Sequence, residues 1–389
     1  MHSILVSLLF FSLPLFAQDK LSQKIEKVQT LTQGWYERIH LRGYTQLRYN
    51  RLFETNKDLK CDQCDKSLGD NNSFFIRRAR LVLFGELGER VFFYIQPDLA
   101  SSSADQNYSQ LRDLYFDVAL SSDKAHRVRL GQSKIPFGFE NLQSSQNRLA
   151  PDRNDALNSA LPDERDIGAI YYWATPAKRK LLGQLTKNNQ KGSGDYGLLG
   201  LGVFNGQSAN KVEKNNNLHV VARFVYPFEL GAEQVIEPSI QAYHGRIVAS
   251  DDKEYGDRRV AASLVYYPNP FGIQMEYNVG EGPQYDEDLA AIRVRHLKGG
   301  YAQIMYNYQY DSAYVIPFLK YQVYEGGKKL ETGAPTYEIK EVEMGIEWQP
   351  ETFYEITATY GVGERELVSS TSSSDEKGSR LRLQFQVNY

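Results

Sequence analysis

The sequence predicts an all-β fold, a transmembrane antiparallel β-barrel of about sixteen strands, and three observations carry that prediction. Apolar and polar residues alternate with a period of two in segment after segment. Short and long connections between those segments themselves alternate. The composition is rich in tyrosine (27) and glycine (30), with a mean hydropathy of -0.51. Tyrosine joins an apolar ring to a wettable hydroxyl and so suits a membrane–water boundary. A formal charge of -3 over 389 residues excludes a globally basic nucleic-acid binder.

At the start of the chain, Ile4 to Phe16 is an apolar run of signal-peptide length, and Leu15-Phe16-Ala17 before Gln18 offers a cleavage site after Ala17. Residues 1–17 are therefore expected to be a signal peptide, although a basic segment before the apolar run is missing. In 18–36, Leu21, Ile25, Val28 and Leu31 stand at helical spacing in a charged stretch and predict a short periplasmic helical segment. Residues 37–389 form the expected barrel domain. Beyond residue 17 no apolar run approaches the roughly 20 residues that a spanning helix needs. Cys61 and Cys64 make a lone Cys-Asp-Gln-Cys; without a second pair its plain reading is a small-loop disulfide, ahead of a metal or redox site.

The last segment shows the strand pattern most clearly. Leu381, Leu383, Phe385, Val387 and Tyr389 alternate with Arg380, Arg382, Gln384, Gln386 and Asn388 over about the length a tilted strand needs to cross a bilayer. Upstream, Ile39 to Asn50, Phe271 to Val279 and Glu341 to Trp348 repeat it. Continuing along the chain predicts strands near 38–50, 73–87, 89–99, 109–120, 126–134, 165–174, 194–205, 217–226, 233–246, 258–268, 271–282, 300–310, 313–324, 337–349, 351–362 and 378–389. Short turns are expected on the periplasmic side and long loops outside. The 175–193 connection is too long for that rule. An even strand number puts both barrel ends on one side and lets the first and last strands pair, which removes the edges a membrane does not tolerate.

A barrel of this size encloses water, so chemistry belongs to the inward faces. Alternation places Arg42 and Arg48 inward on the first strand, Arg78 and Arg80 on the second, Arg127 and Arg129 on the fifth, Lys320 on the thirteenth, and Arg380 and Arg382 on the last. Closure then gathers six arginines into one basic wall. Strict alternation does not let Arg77, Arg78 and Arg80 all point the same way. Acidic residues oppose that wall: Glu341 and Glu343 on the strand before the last hairpin, and Glu140, Asp152 and Asp155 in the longest loop, 135–164. That loop, the third external one, is expected to fold inward and set a transverse field across the opening. No nucleophile elbow, zinc motif, phosphate loop or calcium loop is present, and the six histidines are scattered, so neither an enzyme nor a cofactor is expected.

The stretch Arg127-Val-Arg-Leu-Gly-Gln-Ser-Lys-Ile-Pro-Phe-Gly-Phe-Glu140 resembles the strand and constriction loop of the phosphate-selective porins O and P. Phe75 to Leu81, Gly202 to Gly206 and Val315 to Tyr321 are similar to other segments of that family, and the resemblance covers most of the chain after about residue 35. It implies a sixteen-stranded homotrimeric porin in the outer-membrane lipid, passing small hydrophilic or anionic solutes. Arg129 and Lys134 match its motif segment; a complete arginine ladder does not carry over residue by residue. The expectation from sequence is that Lys134→Glu or Arg129→Glu weakens anion preference more than Lys187→Glu, which lies outside the predicted strands. Reversal potentials in planar bilayers measure it.

Overall fold

A computed structural model describes residues 35–59, 73–102, 107–160, 165–231, 234–286, 288–327, 336–368 and 374–389. The expected signal peptide, nearly all of the 18–36 segment, and Cys61 and Cys64 lie outside the described residues. After a 3-10 turn at Trp35–Arg38, the first eight strands are β1 (Ile39–Leu52), β2 (Phe74–Leu87), β3 (Val91–Ser102), β4 (Asn107–Ala119), β5 (His126–Lys134), β6 (Arg165–Trp173), β7 (Leu199–Phe204) and β8 (His219–Val225, resuming at Phe228–Glu229). The second eight are β9 (Val235–Val248), β10 (Glu254–Tyr266), β11 (Phe271–Asp286), β12 (Ala291–Tyr306, resuming at Tyr308–Tyr310), β13 (Ala313–Gly326), β14 (Tyr337–Glu351), β15 (Tyr354–Leu367) and β16 (Asp375–Asn388). Each pairs antiparallel with the next, and β1 pairs with β16 from Tyr44↔Asn388 to Leu52↔Leu381, closing a barrel of sixteen.

The two faces of each strand are inverted relative to a water-soluble protein. On β16 the apolar Leu383 and Phe385 point outward at 36% and 40% exposure, while Gln384 and Gln386 are buried inside at 5% and 0%. Val342, Met344, Ile346 and Trp348 on β14 face outward likewise, with Glu343 and Glu347 inside. Lipid satisfies the outer face without hydrogen bonds, and the ladder satisfies the backbone, so only a closed sheet suits that environment. Outward aromatic residues, among them Trp348, Phe353, Tyr310 and Phe228, collect near the rim that carries the start of β1 and the end of β16, here called the proximal rim.

Two expectations from sequence need correction. The 282–299 stretch, read as a loop, is mostly strand: β11 and β12 run sixteen residues each and pair as far as Asp286↔Ala291. Polar Arg293, Arg295, His296 and Lys298 hid it, because strands that rise past the apolar belt into water no longer alternate in polarity. The 194–205 strand shrinks to Leu199–Phe204.

The unplaced 175–193 connection holds a helix, α3 (Pro176–Lys187), which follows two short helices in the loop after β5, α1 (Phe139–Leu142) and α2 (Asp155–Ala160). The Thr175 side chain accepts from the Lys178 amide and Pro176 opens the first turn, a normal helix start. Leu182 and Leu185 are buried with Phe139, Val235, Val265 and Tyr267, so α3 enters the barrel from the proximal rim and meets the inserted loop.

Met344→Arg, at the middle of the outward apolar run of β14, should lower stability by about 2–4 kcal/mol, whereas Lys340→Arg above that run should change it by less than about 0.5 kcal/mol. Urea-dependent folding into liposomes measures both.

Candidate functional site

The loop after β5 folds into the lumen. Gly138 begins it with a φ of 83°, in the left-handed region, and a Cβ there would strike Leu157. The Phe139 amide donates to the Glu276 carboxylate on β11, and Asn154 donates to Glu140 Oε2 through its backbone N (2.8 Å) and Nδ2 (2.7 Å). The next helix, α2, docks on the far wall: Asn278 Nδ2 donates to the Ala156 carbonyl (2.9 Å) and Tyr324 donates to Ser159 Oγ (2.5 Å). Phe137, Leu157 and Ala160 pack with Tyr172, Phe204, Val221 and Tyr243. The loop and α2 thereby fill the lumen beside β6–β13.

The basic wall does not stand opposite the acidic loop across open water; the two are in contact. Asp152 sits against Arg48 (2.8 Å), Arg382 (3.1 Å) and Arg77 (3.5 Å). Arg382 also holds Glu343 (2.6 Å), Arg380 reaches Glu341 (3.4 Å), and Arg80 holds Asp98 (2.7 Å). Lys320 on β13 holds Glu140 (2.5 Å), with both side chains 2% exposed. Arg78 donates to Gln46 (2.8 Å), and the Asp155 amide at the start of α2 donates to Gln322 (3.0 Å). Of the cations expected to face the solute, Arg48, Arg382 and Lys320, with Arg80 through Ser145 Oγ (3.1 Å), thus hold the loop to the barrel, whereas Arg78 and Arg380 bond to other strands. Arg77, Arg78 and Arg80 all act inside because the β1–β2 register shifts between Gln46 and Leu47; Gln46 faces Arg78, Leu47 faces Ile76, and the extra residue re-aims Arg77.

An aqueous path remains beside β1–β6. A cavity of about 690 Å³ lies between that wall, the loop residues Leu142–Asn147, and the proximal-rim insertion of α3 with Ser193–Tyr196. It adjoins a second of about 350 Å³ at the proximal rim; Tyr115, Arg129 and Asp195 line both. In the larger cavity Arg42, Arg129, Lys134, Arg165 and Lys187 face Asp113 and Asp195. Arg90, Lys124, Arg127 and Arg179 add to them in the smaller one, against Glu86 and Asp117. The path thus carries nine cations and four carboxylates.

These cations differ in how far they are neutralised. Arg129 grips Asp117 with two bonds (2.7 and 2.9 Å), Arg165 holds Asp113 (2.8 Å), and Arg127 holds Asp195 (2.6 Å). Lys134 donates to the carbonyls of Leu142 (3.2 Å) and Gln143 (2.6 Å), fixing the loop tip while keeping its charge. Arg42 and Lys187 are exposed and have no carboxylate partner among the described residues. Sequence reasoning named Arg42 but set Lys187 aside, because nothing in a Lys/Asn/Gly-rich connection shows that its helix turns back into the lumen.

Electrostatics make the clamp resistant to acid. Burial alone would raise the Asp152 carboxyl, but Arg48, Arg77 and Arg382 hold it far below the usual carboxylate range. Burial acts on Glu140 in the same sense and is likewise outweighed, chiefly by Lys320 and Arg148, so its carboxyl is lowered. Both folded values lie below the unfolded ones, so their contribution is complete above about pH 4–5 and is lost only as pH falls through the lower folded values.

Residues 55–389 match the family described as phosphate-selective porin O and P. Solved structures with the same fold include the outer membrane channel DcaP of Acinetobacter baumannii (TM-score 0.55, 13% identity, 90% of this chain and 97% of that one). The anion-selective porin from Comamonas acidovorans gives 0.55 at 10%, over 90% and 99% of the two chains. Salmonella typhi OmpF, in complex with daunomycin, gives 0.56 at 12%, over 90% and 97%. At these identities the likeness is one of fold. No curated relative matches the chain.

Asp152→Asn leaves three arginines without their shared anion and should weaken loop docking by about 3 kcal/mol. Single-channel current should become larger and noisier; an unchanged, quiet current would mean the loop is held elsewhere. In the unmodified protein, the loop should hold the same conductance between about pH 7 and pH 5.

Proposed function

The chain belongs to the phosphate-selective porin O and P family, and on that premise we propose that its outer-membrane channel passes small hydrophilic solutes with a preference for anions. The observation that carries this reading is the charge of the open path, nine cations against four carboxylates among the described residues, with Arg42, Arg90 and Lys187 holding no carboxylate partner there. An anion entering between β1–β6 and the two insertions meets positive potential without having to break an ion pair. The long loops face the cell exterior and the proximal rim the periplasm. Export by a signal peptide cleaved after Ala17, a periplasmic helical segment before the barrel, and assembly as a homotrimer belong to the same reading.

A general porin without preference is the alternative, and the bonds that neutralise Arg127, Arg129 and Arg165 favour it to a degree. On this reading the ranking is the opposite of the one expected from sequence, because Arg129 shares its charge with Asp117, whereas Lys187 has no carboxylate partner among the described residues. In planar bilayers under a KCl gradient, the protein should give discrete conductance steps and an anion-biased reversal potential. Arg42→Glu and Lys187→Glu should each shift that potential toward cations by more than Arg129→Gln. No conductance steps would overturn the channel reading, and a cation-biased potential in the unmodified protein would overturn the anion preference.

A further inference from the structure

Three neighbouring strands each place one aromatic ring on the wall of the larger cavity, in register. Phe84 on β2 pairs across the ladder with Tyr94 on β3, and Tyr94 pairs with Tyr115 on β4. The ring centroids are 6.4 and 5.2 Å apart, and the two tyrosines stack with an interplanar angle of 14°. A guanidinium flanks each end of this ladder. Arg42 lies 5.7 Å from the Phe84 ring centre and donates to the Tyr94 hydroxyl (3.4 Å), while Arg129 lies 3.8 Å over Tyr115. On β5, the position paired with Tyr115 is Gly131, with a φ of 121°, so Arg129 is the β5 side chain that lies over these rings. Opposite, α3 presents Gly183, Thr186 and Lys187, one face of a helix, to the same space.

We propose that this ladder is a binding subsite for organic monoanions with a planar apolar body, of the aromatic carboxylate class, and that the channel favours them over inorganic phosphate. The proposal rests on the anion-preferring reading of the pore and specifies its solute class. A carboxylate drawn to Arg42 or Lys187 leaves its ring against Phe84 and the stacked Tyr94 and Tyr115, where apolar area and edge-to-face contact both stabilise it. Inorganic phosphate gains nothing from these rings. It is polar on every side, and it must surrender water against those rings beside Asp113. A good phosphate site instead converges several donors on one point, and here Arg129 and Arg165 are already engaged by Asp117 and Asp113.

The test uses the full-length protein in planar bilayers in KCl, with benzoate, acetate and inorganic phosphate as probes. Benzoate should reduce chloride current in a saturable way at concentrations at least tenfold lower than acetate or phosphate. Tyr94→Leu, which keeps apolar bulk but removes the ring, should weaken the benzoate block about fivefold or more. Phe84→Leu serves the same purpose if the first variant does not fold, as judged by heat-modifiable gel mobility. Phosphate blocking as well as benzoate, or a benzoate block indifferent to both leucine variants, overturns the subsite. An anion-biased reversal potential with no benzoate block sinks this proposal alone, whereas a cation-biased potential sinks the reading beneath it.

Discussion

Inside a bilayer no water is available to the backbone, so each N–H and C=O must find its partner within the sheet, and the sheet must end where it began. Everything else in this molecule follows from that requirement. Closure between β1 and β16 gives every strand one face toward lipid and one toward the lumen, and the period-two sequence is the consequence. The outer face needs only apolar bulk. The inner face is free to be polar, and it is heavily so: Arg48, Gln384, Gln386 and Glu347 are nearly inaccessible on a surface that in a soluble β-sandwich would be leucine and valine.

A lumen filled with buried charge is stable only if that charge is paired. The barrel meets this condition by bringing in chain from both ends. The loop after β5 carries Asp152 and Glu140 to the arginines of β16, β1 and β2 and to Lys320. The connection after β6 carries Lys191 to Glu347 (2.5 Å) from the opposite rim. The two insertions then hold each other, Phe139 against Leu182 and Leu185, and Gln143 donating to the Lys191 carbonyl (2.5 Å). What is left over sets the potential of the path. A unit charge 10 Å from a solute contributes about 0.4 kcal/mol in bulk water and about 1.7 kcal/mol at an effective dielectric of 20. A carboxylate in contact with that charge cancels most of either figure, so the unpaired Arg42 and Lys187 outweigh a larger number of neutralised arginines.

This division explains what was legible in the sequence. Strand existence was, because alternation is imposed residue by residue by the two solvents; all sixteen strands could be placed, and β5 could be read to the residue at 126–134. Strand ends were not legible where β11 and β12 rise above the lipid, since there both faces meet water and the alternation that marks a strand disappears. The inward direction of Arg77 was hidden by a one-residue register shift that no periodicity reveals. Which charges meet was hidden as well. Asp152 lies 104 positions from Arg48 and 230 from Arg382, and their contact depends on how the loop folds inside the barrel. A charged lumen residue looks the same in sequence whether it binds solute or clamps a loop.

The case of α3 shows the limit most sharply. Its apolar stripe is two buried leucines, Leu182 and Leu185, with Leu181 partly buried beside them, on a helix rich in lysine, arginine and glutamine. In a soluble domain so thin a stripe would mark a surface helix, barely held. Here it suffices because the helix enters a cylinder already built around it, with Val235, Val265 and Tyr267 of the wall waiting and Thr175 capping its first turn. The enclosing wall restricts the ways the segment can sit, so few contacts are needed to choose among them. The same enclosure makes such a segment open to change: Gly183, Thr186 and Lys187, on one side of the helix, line the cavity. The selectivity of the path can therefore be altered there without disturbing the pairing on which the barrel depends.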